Sequence, residues 1–120
     1  MNQSEHKTVT VHRLKTWTGF FDSVVQGFKP FEIRLDDRGF KLNDILLLME
    51  YHPVRKRLLG RSCAFRVSYV LRLKDFPDAK GWRWKLARAI MPNLVVMGIY
   101  PLEVADGQAK VNQTEGEKWL

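Results

Sequence analysis

The chain has 120 residues, 45% of them hydrophobic, and carries 20 Lys and Arg against 13 Asp and Glu, a formal net charge of +7. That length makes one domain, able to bury roughly two-thirds of the surface its unfolded chain exposes. A lone cysteine, Cys63, excludes an internal disulfide, and no Cys/His spacing fits a zinc site, so no metal or cofactor is implied. With no signal peptide and no long apolar segment, the reading is a cytoplasmic protein without a membrane partner. Its excess of cations favours anionic partners, nucleic acid first.

Residues 1–8 are polar and predicted to be flexible. Val9 and Val11 alternate with Thr10 and His12, which predicts a first strand to about Lys15. Trp17, Phe20, Phe21, Val24, Val25 and Phe28 recur at spacings of three and four, predicting a helix over 17–27 with this stripe in the core. Thr16 or Thr18 is placed to cap its start, and Gly27 to end it in a left-handed turn. Pro30 then forces an extended approach to a strand over 31–35. Alternation sends Phe31, Ile33 and Leu35 to one face, read as core, and Glu32 and Arg34 to the other. With Lys29 just ahead, the second set is either an ion-paired, solvated sheet face or a recognition site built on a rigid element.

Asp36-Asp37-Arg38-Gly39 reads as a turn, with Arg38 and Asp37 as turn-stabilising residues, and Asp44 is placed to bond nearby backbone amides. The unbroken apolar stretch of Ile45 to Tyr51 predicts a strand buried on both faces. Residues 52–61 read as a basic hairpin loop carrying Arg55, Lys56, Arg57 and Arg61. A long strand follows over 63–73, with Phe65, Val67, Tyr69 and Leu71 opposed to Arg66, Ser68, Val70 and Arg72. Cys63, at its start, reads as an inert thiol rather than a nucleophile.

A short helix is predicted over 82–91, burying Trp82, Leu86, Ala89 and Ile90 and turning Arg83, Lys85 and Arg88 outward. Its interleaved aromatics and cations suit either an ordinary solvated basic face or nucleic-acid contact, with Trp84 stacked on a base or on the domain. A last strand spans 94–103, and the polar tail 105–120 is predicted to be disordered. The domain proper is thus 9–104. One main N-terminal helix, a second short helix and five to six strands make an α+β fold with a curved sheet, and closure into a small barrel fits because it hides sheet edges.

Gly27, Lys29, Glu32 and Arg34 match all four fixed positions of Gly-x-Lys-x-x-Glu-x-Arg, the signature of the ASCH family in the PUA-like superfamily. The flanks extend the likeness: His12-Arg13-Leu14-Lys15 with Trp17, Asp37-Arg38-Gly39-Phe40, Asp44-Ile45-Leu46-Leu47-Leu48, Glu50-Tyr51, Gly60-Arg61 and Val96-Met97-Gly98-Ile99 resemble small bacterial and phage ASCH-like proteins of unknown function. The resemblance covers about residues 11–104. It implies a small curved β-barrel flanked by helices, with a cleft beside the signature strand and an association with RNA.

On that resemblance Lys29, Glu32 and Arg34 hold one nucleotide, Arg34 and Lys29 on its phosphate or carbonyl side and Glu32 on its base. Lys15, Arg38, Arg57, Arg61, Trp84 and Arg88 extend the nucleic-acid-binding surface. Two other readings stand beside RNA binding. One is a hydrolase acting on RNA or a modified nucleoside, with Lys29, Glu32 and His12 as candidate acid–base residues. The amidohydrolase pattern, Gly-x-Lys-Thr-x-Thr-x-Arg, is met at Lys29, but Pro30 and Glu32 stand where it has threonines. The other is an interaction protein that modulates a host protein. Whether the chain is an enzyme stays open, and so does its state as a monomer or weak dimer.

Overall fold

The structure, a computed structural model, describes residues 8–75 and 81–102. Apart from Thr8, the expected flexible terminus 1–8 and the disordered tail 105–120 lie outside the described residues. The elements run β1 (Val11–Trp17), α1 (Thr18–Val25), β2 (Phe31–Leu35), β3 (Ile45–His52), β4 (Arg57–Arg72), a 3-10 turn (Leu73–Asp75), α2 (Trp82–Ile90) and β5 (Leu94–Pro101). Five strands form one sheet in the order β1-β3-β4-β5-β2, with β1 parallel to β3 and the other pairs antiparallel. The fold is α+β, a sheet curled into a half-barrel.

Inside the curl, Leu14 of β1, Leu46 and Leu48 of β3, Phe65 and Val67 of β4, and Val95, Met97 and Ile99 of β5 make one core with Phe40. Helix α1 closes one side of it through Phe21 and Val24 alone. The rest of the predicted stripe is exposed: Trp17, Phe20, Val25 and Phe28 face outward, because an eight-residue helix across a barrel flank meets the core over a narrow arc. Gly27 ends the helix at φ +84°, as expected, with its amide on the carbonyl of Val24. Neither threonine caps the start. Thr16 is buried at the end of β1, and the Thr18 hydroxyl donates to the Glu50 carboxylate instead.

Three more expectations are corrected by the sheet itself. Strand β3 is buried at alternate positions only, Leu46, Leu48 and Glu50, so its second face is half-covered. Strand β4 begins at Arg57, so most of the predicted basic loop is strand and the hairpin turn shrinks to residues 53–56. Within β4 the register against β5 shifts between Val67 and Tyr69. This bulge adds one residue to the strand and swaps its faces beyond it. Val70 therefore leans on the core, and Tyr69, assigned from alternation to the face of Phe65 and Val67, is 62% exposed.

Helix α2 forms over Trp82–Ile90 but buries none of its residues; Trp82, Leu86 and Ile90 are exposed, contrary to the predicted buried stripe. It touches the 3-10 turn.

Candidate functional site

The signature strand β2 is inverted relative to its apolar pattern. Phe31, Ile33 and Leu35 are 38%, 52% and 56% exposed, while Glu32 is 2% exposed. Register explains it: Glu32 pairs with Met97 and Arg34 with Val95, both buried, so the charged pair shares the interior face of the sheet. A buried carboxylate is tolerable only when neutralised and hydrogen-bonded. Glu32 is both. Lys29 Nζ donates to Oε1 at 2.8 Å and Arg34 Nε to Oε2 at 2.9 Å.

Arg34 has a second task. Among the described residues β1 and β2 are the edge strands of the sheet, and no ladder joins them. Arg34 Nη2 crosses that seam to the carbonyl oxygen of Lys15 at 2.9 Å, and lies 3.4 Å from the Thr16 hydroxyl. Arg38 does likewise from the turn after β2, with Nη1 on the carbonyl of Arg13 at 3.2 Å. Two guanidinium groups thus bridge the seam between the edge strands.

Beside this seam opens a cavity of about 830 Å³, lined by Lys15, Thr16, Trp17, Phe20, Ser23, Phe28, Lys29, Phe31, Glu32, Ile33, Arg34 and Tyr51. Its walls are aromatic: Trp17 and Phe20 stack with centroids 6.0 Å apart, Lys29 Nζ sits over Phe31 at 5.1 Å, and Lys15 Nζ over Tyr51 at 4.8 Å. Its polar edge is the signature. Each Glu32 oxygen accepts one of the two bonds just given and keeps a further lone pair. Arg34 uses Nε and Nη2, which leaves the two N–H groups of Nη1 without an acceptor among the described residues. The cavity thus offers apolar faces for a flat ring, with an acceptor and a fork donor at one side.

Of the residues singled out in the sequence, Lys15, Lys29, Glu32 and Arg34 come together here, and Arg38 joins them along the seam. His12 does not. It is buried facing the core, with Nε2 2.8 Å from Asp44 Oδ2 and its ring edge-on to Phe40, centroids 4.7 Å apart. Asp44 Oδ2 also accepts the amide of Lys41, the backbone bond expected of it. Arg57, Arg61, Trp84 and Arg88 do not line the cavity. Burial pushes the Cys63 thiol upward, as suits an inert side chain.

One cluster escaped the sequence reading. Between the pairs Met49–Ser62 and Tyr51–Leu58, Glu50 alone faces Leu59, Gly60 and Arg61, a bulge made possible by Gly60 at φ +95°. The bulge aims Arg61 at Glu50, with Nε and Nη2 each 2.8 Å from a carboxylate oxygen. Arg61 Nη2 also reaches Asp22 of α1 at 2.7 Å. Hydrogen bonds from Arg61 first and Thr18 next outweigh burial and hold the Glu50 carboxyl down at about 2. The missed signal was phase: Glu50 follows Leu46 and Leu48 at inward positions, where a carboxylate demands a partner.

Among the described residues no group of three or more His, Cys, Asp or Glu is placed to hold a metal ion, and no helix is long and apolar enough to cross a membrane. Compared with known proteins, the chain is 28% identical over 89 residues to an uncharacterised 12.9 kDa protein in the GpA 3' region of Escherichia phage P2, covering 74% of this chain and 80% of that one. The crystal structure of hypothetical protein PH0355 aligns with a TM-score of 0.48 at 17% identity, covering 78% of this chain and 100% of that one. A family model described as Domain of unknown function (DUF3850) matches residues 11–83, from the first residue of β1 into α2, and the chain belongs to that family.

Proposed function

We propose that the chain is an ASCH-like, PUA-like module that binds nucleic acid, RNA in preference, by holding one unstacked base in the cavity beside β2. One observation carries the reading: aromatic walls and an open guanidinium edge next to a buried carboxylate occur in the same hollow. Aromatic faces stack on any base at about 1–3 kcal/mol each. Arg34 Nη1 suits a base carbonyl or a phosphate, and the remaining lone pairs of Glu32 suit ring N–H or exocyclic amine groups. Unstacked bases in single-stranded segments are what such a hollow reads in RNA, and the cytoplasm is where this function would be exercised. Glu32 is clamped between two cations, an arrangement that supports holding a ligand beside it.

The test is fluorescence anisotropy with labelled single-stranded RNA at several salt concentrations. Affinity is expected to fall steeply with salt and to drop for Trp17→Ala and Lys29→Ala, both on the cavity wall. No binding at low salt, or binding indifferent to both substitutions, would overturn the reading.

A further inference from the structure

Opposite the barrel interior, the outer face of β2, β5 and β4 has a different character. The ladders place Phe31, Gly98 and Tyr69 in one row across the three strands, and Ile33, Val96 and Leu71 in the next. Leu35 and Leu94 begin a third. None of these positions is charged, on a chain whose net charge is +7. Gly98 sits between two aromatic side chains in the first row, closely covered on the β4 side, where a Cβ would come within 3.1 Å of Ser68 Oγ. Tyr100, exposed like Tyr69, extends the face along β5.

We propose that this face is where two copies of the chain associate, sheet against sheet, about a twofold axis. Charge selects the occupant. The rows themselves carry no charged side chain, and Lys29 beside Phe31 and Arg66 opposite Tyr100 border them, so an identical face buries the same apolar side chains again with its cations left at the rim. Area agrees. A whole aromatic side chain presents roughly 150–250 Å², so the exposed parts of these rows and Tyr100 amount to several hundred Å², approaching the roughly 800 Å² per partner of a standard stable interface. Two twisted sheets packed face to face bury such rows at a spacing of about 10 Å. The inference is independent of what the cavity binds. Phe31 and Ile33 nevertheless belong to both surfaces, so the second copy would border the cavity.

Sedimentation velocity of the full chain over a wide range of concentration tests it. The expected result is a concentration-dependent shift from 14.1 kDa to twice that mass. Tyr69→Lys and Ile33→Lys, both at exposed positions, are expected to abolish the shift while circular dichroism and melting stay unchanged. Tyr69→Ser, which adds no charge, serves as the check should a lysine variant fail to fold, and is expected to weaken the dimer at least tenfold. A wild-type chain that stays monomeric throughout would overturn the proposal, as would a dimer that survives all three substitutions. So would a species that forms only with a different protein.

Discussion

Arg34 Nη2 on one edge strand of the half-barrel donates to the carbonyl oxygen of Lys15 on the other edge, at 2.9 Å. The same side chain neutralises Glu32 through Nε and lines the cavity, so one guanidinium serves the seam, the buried charge and the cavity edge. Lysine keeps the charge but cannot present three nitrogens in fixed directions. Arg34→Lys is therefore expected to cost about 2 kcal/mol of stability and, on the proposed reading, most of the affinity for RNA. Urea unfolding and RNA anisotropy, run on the same preparation, separate the two losses.

Glu32→Gln tests the buried clamp from the other side. Removing the carboxylate charge leaves Lys29 and Arg34 facing each other across a neutral amide, with Arg34 mostly shielded from water. Breaking a buried pair in this way costs about 3 kcal/mol, read as a lowered midpoint in urea. Lys29→Ala, at a more accessible site, is expected to cost less.

Glu50 sets a pH signature. Its carboxyl, held at about 2 against an ordinary value of 4.5, stays ionised in the folded chain where the unfolded chain takes up a proton. A depressed carboxyl contributes stability above the unfolded value, and that contribution is lost as pH falls from 4.5 toward about 2. Asp36 adds to the same loss: burial alone would raise it, but the amides of Phe40 and Gly39 with Arg72 hold it below its usual value. Thermal melts of the wild type and Glu50→Gln over this range should converge as pH drops. Curves that stay parallel would refute the assignment.

Trp17 and Phe20 are exposed, stacked on each other, and placed on the cavity wall. Phe20→Ala is expected to leave the melting temperature nearly unchanged while weakening RNA by about 1–3 kcal/mol. Loss of stability without loss of affinity would show that the aromatic pair serves the fold alone.

Much of this architecture was legible in the residues. Helix α1 and β2 lie where the spacing of Phe21 and Val24 and the Gly27–Pro30 break put them. The resemblance carried by Gly27, Lys29, Glu32 and Arg34 led to the residues that edge the cavity. What alternation could not supply was the direction of a face. Phe31, Ile33 and Leu35 look like core until Glu32 is seen to have two cationic partners, and hydropathy says nothing of partners. The bulges at Ser68 and Gly60 were equally silent, since a bulge is set by pairing between strands distant in sequence. Helix α2 was found in the right place, but how little of it is buried is a tertiary fact.

The curled sheet buries two glutamates, Glu32 and Glu50, and each is answered by an arginine held in a fixed orientation. Such couples resist piecemeal change, because an acid left without its arginine is a buried carboxylate short of a partner. Sequence drift in this barrel should therefore lose an arginine only together with its acid: Arg61 with Glu50, and Arg34 with both Glu32 and Lys29.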